Sequence, residues 1–378
     1  MRALVYGLAR SGRAVAERLD DPVLVDSSLG NEGDLSLLDG VDVVVKSPGV
    51  PGDATLVTTA RERGIPVWSE VEFGFRQLPD ARFVGVTGTN GKTTTTELLG
   101  AIFRAAGRDV AVAGNVGTPL TSVRSADWVV CELSSFQLED VDTFACDVAV
   151  LLNLEPDHLD RHGSFEAYRD AKLRIFERSR VQVVPHGMGL PGIEFSADDE
   201  LPAEPLIRGA HNRENAAAAT AAARAAGIAD EHIAAALRTF SGVPHRLELV
   251  GERDGIRYVN DSKATNVAAA LRALAAYADE PVHLILGGSP KGEDFAPLAA
   301  ALGSNVRSVH LIGEEAERIG AVVNGFRDGT LEVAVTHATE LAEPGDVVLL
   351  SPACASYDQF ANFEERGDTF RRLVEELA

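Results

Sequence analysis

Lysine is scarce in this sequence. Only five of its 35 basic residues are lysines and the other 30 are arginines. An ammonium group can lose its proton and react, whereas a guanidinium stays charged. A lysine in so arginine-biased a chain can therefore mark a position where arginine cannot substitute. Chance is the alternative for any single lysine, but four of the five lie in the motifs described below: Lys92, Lys172, Lys263 and Lys291.

Cysteines and long apolar runs are also few. Cys131, Cys146 and Cys354 are widely spaced and form no Cys-x-x-Cys pair, so they indicate neither a disulfide framework nor a zinc site. We expect three small buried side chains in a reducing compartment. No apolar run approaches the roughly 18 residues of a membrane helix, and the apolar N-terminus is too short for a signal peptide. These features predict a soluble, cytoplasmic protein.

Positive charge is in deficit as well. The formal net charge is −22, and a field of that sign repels nucleic acids and anionic lipids. We therefore expect small-molecule substrates, with neither a nucleic acid nor a membrane as partner. Any anionic substrate must be held by local positive groups.

The apolar segments are short and β-branched, and Ala-rich helical stretches separate them. This alternation predicts an α/β fold with mostly parallel sheets. We predict three domains: a Rossmann-like unit over 1–79, a central P-loop ATPase-like unit over 80–242 and a second Rossmann-like unit over 243–378. Polar residues follow several predicted strands, where open α/β sheets bind ligands. They are Glu132, Asp157, His158, Lys291 and Ser356.

A glycine-rich segment, Val84–Thr94, lies between a predicted strand and a predicted helix. Backbone N–H groups in such a turn, with the helix N-terminus, favour phosphate oxygens. Lys92 would bridge the β- and γ-phosphates and Thr93 would ligate Mg²⁺. The strict pattern has glycine where this chain has Val86, so the loop is a variant. The predicted ATP-binding residues here are Gly88, Thr89, Asn90, Gly91, Lys92, Thr93 and Thr94.

A second glycine turn, Gly7–Gly12, follows the first predicted strand, and Asp26 ends the next one. It approximates a dinucleotide-binding turn, with Ala9 at the middle glycine position. A dinucleotide site, a nucleotide-diphosphate site and a purely structural turn all remain open. The methyl group of Ala9 lies where a pyrophosphate would approach, which argues mildly against NAD.

Taken together, these segments resemble the Mur ligase family. The similarity covers all three predicted units in the family's order, and several motifs match the version in members that add D-glutamate. The matching segments are 87–93, 114–117, 132–139, 157–160, 211–215, 245–246, 260–266 and 351–363.

The resemblance implies an ATP-dependent ligase of peptidoglycan precursor synthesis that acts as a monomer. ATP would phosphorylate the alanyl carboxylate of UDP-N-acetylmuramoyl-L-alanine, and the amine of D-glutamate would attack the acyl phosphate. ADP and phosphate would leave. The first domain would bind the UDP end, the second ATP and the third the amino acid.

The resemblance also implies roles for individual residues. Lys92, Glu132, His158 and Lys172 would be catalytic, and two Mg²⁺ ions would be held by Thr93, Glu132, His158 and a carbamylated Lys172. Further ATP contacts would come from Asn212, Asn215, Arg246 and Asp261. The UDP substrate would meet Gly7, Ser11, Asp26, Asn115, Ser134 and Gln137. D-Glutamate would meet Lys263, Thr265, Lys291, Ser356 and Phe363. For Lys172, a solvated helix lysine is the alternative.

Two departures from the family pattern stand out. Arg10 and Ser28 occupy positions that are usually apolar and arginine, which puts uridine contacts there in doubt. The stretch between Lys172 and His211 is short for the family. Three other functions compete: a folylpolyglutamate synthase, which would begin near its P-loop; an NAD-dependent dehydrogenase, which leaves the P-loop unexplained; and a non-catalytic nucleotide-binding module.

Overall fold

The structure, a computed structural model, describes residues 1–207, 209–290 and 292–377. The chain divides into two compact units, Met1–Phe240 and Ser241–Ala378. It contains a four-stranded sheet and two six-stranded sheets among the described residues. None of the described helices is both long and apolar enough to cross a membrane.

The first unit opens with the four-stranded sheet, which is parallel in the order β2-β1-β3-β4. Its strands are β1 (Ala3–Tyr6), β2 (Val23–Val25), β3 (Val43–Lys46) and β4 (Val67–Ser69). The helices between and after them are α1 (Arg10–Ala16), α2 (Thr55–Glu62) and α3 (Glu70–Arg76). Strands β1 and β3 are buried along their whole length, as expected for inner strands of a parallel sheet.

The second sheet follows in the same unit and is parallel in the order β10-β9-β8-β5-β7-β6. Its strands are β5 (Arg82–Thr87), β6 (Val110–Gly114), β7 (Trp128–Glu132), β8 (Cys146–Leu151), β9 (Ser179–Pro185) and β10 (Ile193–Phe195). Its helices are α4 (Lys92–Ala105), α5 (Ser135–Glu139), α6 (Leu159–His162), α7 (Phe165–Leu173), α8 (Ala210–Ala225) and α9 (Asp230–Thr239). Because β5, β7 and β8 are neighbours, the loops after them open at one edge of the sheet.

The Ser241–Ala378 unit holds the third sheet, in the order β11-β12-β16-β13-β14-β15. Its strands are β11 (Glu248–Arg253), β12 (Ile256–Asn260), β13 (Val282–Gly287), β14 (Val306–Ile312), β15 (Phe326–Gly329) and β16 (Val347–Leu350). Its helices are α10 (Val267–Ala276), α11 (Ala296–Ala301), α12 (Ala316–Gly320), α13 (Leu331–Leu341) and α14 (Phe363–Glu376). Within the described part of this sheet, the edge strand β11 alone pairs antiparallel.

Buried polar contacts join the first two sheets into one compact unit. Lys46 and Asp140, almost fully buried, form an ion pair at 3.0 Å. The Glu72 carboxylate accepts hydrogen bonds from the backbone N–H groups of Asp142, Thr143 and Phe144. A buried charge is stable only when it is paired or well hydrogen-bonded, so these contacts specify how the two sheets meet.

The predicted α/β class with mostly parallel sheets is confirmed. One of the expected Ala-rich helical stretches is α8, over Ala210–Ala225. Helix α7 ends at Leu173 and continues as a 3-10 turn over Arg174–Phe176. The three cysteines are buried and unpaired, as expected. The domain boundaries at 79 and 242 stay predictions.

Candidate active site

The predicted phosphate loop is a tight turn between β5 and α4. Gly88 has φ +154° and Gly91 has φ +81°, a region that side chains rarely adopt. A Cβ on Gly91 would lie 2.2 Å from the Asn215 side-chain oxygen. The loop needs glycine at residue 91 both for its backbone conformation and because Asn215 packs directly against it. This contact brings α8, with Asn212 bonded to Asn215 at 3.3 Å, to the loop.

Asn153, which sequence analysis missed, holds the loop in shape. Its Oδ1 accepts from the N–H groups of Thr89 at 3.1 Å and Asn90 at 2.8 Å, and its Nδ2 donates to the Asn90 carbonyl. These two N–H groups therefore point at Asn153. The backbone N–H groups that could face a phosphate therefore lie in the first turn of α4, which includes Lys92 and Thr93. N–H groups in the first turn of a helix have no hydrogen-bond acceptor within the helix.

Two further residues missed by sequence analysis brace the loop from the chain that follows β8. Glu155 accepts from the Asn90 side chain at 3.0 Å and donates its backbone N–H to the Thr89 hydroxyl at 3.0 Å. The same hydroxyl lies 2.9 Å from the Tyr168 hydroxyl on α7. All three bracing residues follow β8, so their place after a strand was the only available sequence signal.

Lys92 and Lys172 converge on the loop. The Lys92 amine donates to the carbonyls of Gly88 and Thr89 at 2.9 and 2.8 Å. The Lys172 amine, carried by α7, donates to the Gly88 carbonyl at 2.7 Å and is 2% exposed. Burial and the positive charge of Lys92 lower the pKa of Lys172 to about 7, while Asp157 and Glu132 oppose the shift. A solvated helix lysine is therefore the wrong description of Lys172.

Glu132 ends β7 beside the loop. Its carboxylate is buried and accepts from the Asn115 side chain at 3.0 Å. Strand β7 pairs with β5 so that Glu132 is level with Val86, just before the loop. Oxygen ligands of this kind are what Mg²⁺ prefers. The carboxylate is therefore suitably placed for a hard cation beside the first turn of α4.

His158 and His162 behave differently. His158 has φ +52° and precedes α6, with a half-exposed ring 3.5 Å from its neighbour Asp157. The buried His162 ring bonds Ser135 at 2.9 Å and Glu139 at 3.0 Å and stacks on Phe136. The exposed His158 ring is accessible to a metal ion, whereas the His162 ring is buried against α5.

Ser134 and Gln137 form a capping box at the start of α5. The Ser134 hydroxyl accepts from the Gln137 N–H, and the Gln137 side-chain oxygen accepts from the Ser134 N–H at 3.0 Å. The Gln137 amide nitrogen is buried and has no hydrogen-bond partner within the described ranges. The Ser134 hydroxyl and the Gln137 side-chain oxygen therefore stabilise the turn after β7, at the start of α5.

The N-terminal glycine turn is very closely packed. Gly7 has φ +89°, and a Cβ on Gly12 would lie 1.8 Å from the Gly7 carbonyl oxygen. Asp26 accepts from the Leu8 N–H at 2.6 Å and from both the N–H and hydroxyl of Ser28. These bonds, led by that of Leu8, lower the pKa of Asp26 to about 2. The Asp26 carboxylate is thus engaged by its own loop. In an NAD site, the carboxylate at this position would instead bind the ribose hydroxyls. Ser11 lies in the first turn of α1.

The Ser241–Ala378 unit carries the residues expected to hold D-glutamate. Lys263 and Thr265 lie in the turn after β12, Ser356 is buried in the loop after β16, and Phe363 begins α14. Arg246 lies in the turn before β11. Asp261 accepts from the Ser351 hydroxyl at 2.8 Å and the Leu247 N–H at 3.2 Å, and burial raises its pKa to about 7. Lys291 lies outside the described residues.

Arg366, on α14, was also missed and links these segments. Its buried guanidinium donates to the Ser262 hydroxyl and carbonyl and to the carbonyls of Cys354 and Ala355, at 2.9 to 3.1 Å. Ser262 precedes Lys263, and Ala355 precedes Ser356. Arg366 therefore sets the spacing between the two segments in this unit.

Comparisons with known proteins now identify the family. The Mur ligase middle domain matches residues 86–189, and the Mur ligase glutamate ligase domain matches residues 245–354. Together they cover more than half of the chain. The protein belongs to the Mur ligase family. A UDP-N-acetylmuramoylalanine–D-glutamate ligase of Geobacillus kaustophilus is 40% identical, covering 100% of this chain and 98% of the relative. One from Anaeromyxobacter dehalogenans is 43% identical, covering 94% and 88%.

Solved structures place this Mur ligase in the same fold. The UDP-N-acetylmuramate–alanine ligase of Thermotoga maritima aligns with TM-score 0.60 and 18% identity over 99% of this chain and 98% of its own. A bifunctional folylpolyglutamate synthase/dihydrofolate synthase of Yersinia pestis aligns with TM-score 0.58 and 20% identity over 81% and 92%. At these identities the likeness concerns the fold alone.

This chain is also shorter than its Geobacillus relative. Its alignment with the Geobacillus protein runs over 442 positions, whereas the chain has 378 residues. The chain therefore lacks dozens of residues that the relative carries. The expected short stretch between Lys172 and His211 is consistent with this difference.

Proposed function

We propose that this Mur ligase is a UDP-N-acetylmuramoylalanine–D-glutamate ligase of peptidoglycan precursor synthesis. It joins the amine of D-glutamate to the alanyl carboxylate of UDP-N-acetylmuramoyl-L-alanine through an acyl phosphate, and ATP becomes ADP and phosphate. The observation that carries the proposal is the set of near-full-length relatives, 38 to 43% identical, that bear this name. The amines of Lys92 and Lys172, which meet at the Gly88 carbonyl, support the proposal because ATP-dependent ligation needs positive charge beside the phosphates.

Phosphoryl transfer from ATP depends on positioning and on charge neutralisation. In our proposal the first-turn N–H groups of α4 bind the phosphates, and Lys92 neutralises the transferred phosphate. Thr89, Asn90 and Gly91 form the wall of the cradle, which Asn153 and Asn215 keep rigid. Gly88 and Thr94 complete the loop. Asn212, Arg246 and Asp261 complete the proposed ATP contacts.

Two Mg²⁺ ions fit the donors around the loop. Thr93, Glu132, His158 and Lys172 would hold them. The buried carboxylate of Glu132 is a suitable oxygen ligand. The ion at His158 would rely on imidazole, which is an unusual ligand for Mg²⁺. Bound Mg²⁺ would neutralise charge on the phosphate oxygens.

Lys172 suits carbamylation. CO₂ adds only to a neutral amine, and a pKa of about 7 leaves about half of the Lys172 amines neutral at that pH. The carbamate would turn a buried cation into an anionic oxygen ligand. It would also remove the repulsion between the amines of Lys172 and Lys92, which both lie on the Gly88 carbonyl.

Substrate binding is assigned to two further groups of residues. Gly7, Ser11 and Asp26 would shape the loop for the UDP end, and Asn115, Ser134 and Gln137 would face the uridine-linked substrate and its diphosphate. A buried Gln137 nitrogen without a described partner gains from a ligand oxygen, if α5 shifts to expose it. Lys263, Thr265, Lys291, Ser356 and Phe363 would bind the two carboxylates and the body of D-glutamate. We place the reaction in the cytoplasm, carried out by a monomer.

A substrate panel tests the proposal. We expect ATP to release phosphate only when D-glutamate and UDP-N-acetylmuramoyl-L-alanine are both present, with amide product in equal amount. L-Glutamate or the UDP-linked lactyl acceptor lacking alanine serve as controls and should release almost none. Release with L-glutamate and a folate would instead select folylpolyglutamate synthesis and overturn the proposal.

A further inference from the structure

A chain of hydrogen-bonded side chains crosses the third sheet and contains none of the residues assigned above. Asp346 lies 3.1 Å from the Nε2 atom of His283, and the Nδ1 atom of His283 lies 2.7 Å from the Ser308 hydroxyl. The same hydroxyl lies 2.7 Å from the Nε2 atom of His310, whose Nδ1 atom lies 2.6 Å from Asp328. The chain thus has a carboxylate at each end.

A third histidine meets this chain at Asp328. The Nδ1 atom of His337 lies 2.9 Å from the second carboxylate oxygen of Asp328, so two imidazoles share one carboxylate. His310 lies on β14, Asp328 on the edge strand β15 and His337 on α13. Their nitrogen and oxygen ligand atoms all lie within 4.8 Å of one another. His310 is fully buried and the His337 side chain is 31% exposed.

The hydrogens in this chain can be counted. Four hydrogen bonds connect Asp346, His283, Ser308, His310 and Asp328, and each needs one hydrogen. With ionised carboxylates and neutral imidazoles, only the two rings and the hydroxyl bring one hydrogen each. Three hydrogens cannot serve four bonds. The chain is complete only when it takes up one further positive group, either a proton or a metal ion.

We propose that His310, Asp328 and His337 bind a divalent transition-metal cation of the zinc class. A metal ion on the Nδ1 atom of His310 takes the place of the fourth hydrogen bond. His310 then donates from Nε2 to Ser308, Ser308 donates to His283, and His283 donates to Asp346. Every remaining bond then has its hydrogen, and both rings are neutral. The hydrogen bonds of Ser308, His283 and Asp346 would fix the orientation of the His310 ring, as such outer bonds do for metal-bound histidines.

For the ion to bind, the two Asp328 contacts would lengthen and any ligand pair near the 4.8 Å limit would draw closer. Zinc binds imidazole nitrogen and carboxylate oxygen at about 2.0–2.2 Å, so tetrahedral ligands lie roughly 3.3 Å apart. The present 2.6 and 2.9 Å contacts of Asp328 would each open by less than about 1 Å. Water would fill the fourth position, entering beside the exposed part of His337. Phe326, against both rings, covers the other side.

Such an ion would tie the edge strand to its neighbours. Strand β15 is short and, in the part of the chain that the structure describes, lies at the edge of the sheet and pairs with β14 alone. A metal held by β14, β15 and α13 would fasten that edge. The proposal therefore predicts a stabilising metal, separate from the Mg²⁺ that serves ATP.

Metal titration of the purified full chain tests this. We compare the wild type with His337→Gln, whose side chain is partly exposed and has room for glutamine. The matched control is His186→Gln, which removes the exposed His186–Glu194 pair in the first unit. After chelation and dialysis, we expect wild type and His186→Gln to bind one more equivalent of Co²⁺ than His337→Gln, with visible d–d absorption. Zn²⁺ should raise the melting temperature of these two by several degrees and leave His337→Gln unchanged.

Equal Co²⁺ stoichiometry and equal Zn²⁺ response in all three proteins would overturn the proposal and leave the extra positive group as a proton. Asp328→Asn provides a second test, because it keeps the shape of the side chain but removes the anionic ligand. It should lose the same equivalent of Co²⁺. No readout here depends on ligase activity, so the result is independent of the proposed function.

Discussion

Lys92 and Lys172 place their amines on one carbonyl oxygen, that of Gly88, at 2.9 and 2.7 Å. Two ammonium groups this close repel each other, and the buried one loses its charge more easily. Burial first, and the positive charge of Lys92 second, lower the pKa of Lys172 to about 7. A lysine at residue 172 can give up its proton there, whereas an arginine cannot.

Replacing Lys172 tests its reactive role. We expect Lys172→Ala to lose most ligase activity and to regain part of it when acetate or formate is added, because a small carboxylate can take the place of the carbamate. Lys172→Arg should stay inactive, since guanidinium does not take up CO₂. Steady-state rates with and without the added acids measure this. Unimpaired activity of Lys172→Ala would rule out the carbamate.

The same carbamate should depend on pH. The neutral fraction of the Lys172 amine rises through a pKa of about 7, so labelling by ¹³C-bicarbonate should increase from pH 6 to pH 8. A ¹³C NMR carbamate signal that is present in wild type and absent in Lys172→Arg checks this. A signal that is equal in both proteins would have another source.

Gly91→Ala should weaken nucleotide binding. The backbone at residue 91 is left-handed, which costs a residue with a Cβ about 1–2 kcal/mol, and the added Cβ would also meet the Asn215 side-chain oxygen. We expect the Kd for ATP to rise by about tenfold or more, since about 1.4 kcal/mol corresponds to a factor of ten. Calorimetry measures the Kd. Gly33→Ala is the control, because its Cβ would enter open space, and it should bind as wild type.

Arg366→Lys should raise the KM for D-glutamate more than it changes the KM for ATP. Lysine cannot make the four bonds that hold the turn before Lys263 to the turn before Ser356. Misplacing binding groups by about 1 Å can cost roughly 100-fold in rate. Arg372→Ala on the same helix removes only an exposed ion pair and should change neither KM. Equal KM changes for both substrates would indicate general unfolding instead.

Lys46→Met should destabilise the first unit. Removing one partner of a buried ion pair costs about 3–5 kcal/mol, and Asp140 would keep only Arg61. The exposed pair of Arg63 and Asp39 is the control, and Arg63→Ala should cost less than about 1 kcal/mol. Denaturant unfolding measures both. If the two variants lose equal stability, the buried pair does not hold the first two sheets together.

Sequence analysis predicted local features of the site and missed distant ones. The phosphate loop lies within one strand–turn–helix segment, so its residue types alone indicate nucleotide binding. Asn153 could not be found in this way, because its contacts with Thr89 and Asn90 cross more than 60 residues. Arg366 could not be distinguished by its sequence from the other charged residues of a helix that is rich in both acidic and basic side chains.

The amino-acid sequence by itself determined the α/β class, the nucleotide loop and the family, since strand and helix patterns and short motifs are encoded locally. Only tertiary structure decided the electrostatics of these groups. Burial of α7 against the loop gives Lys172 its low pKa, and pairing of β13, β14 and β15 brings His283, His310 and Asp328 into one chain. Desolvation and proximity depend on which segments pack together, and spacing along the chain does not record that.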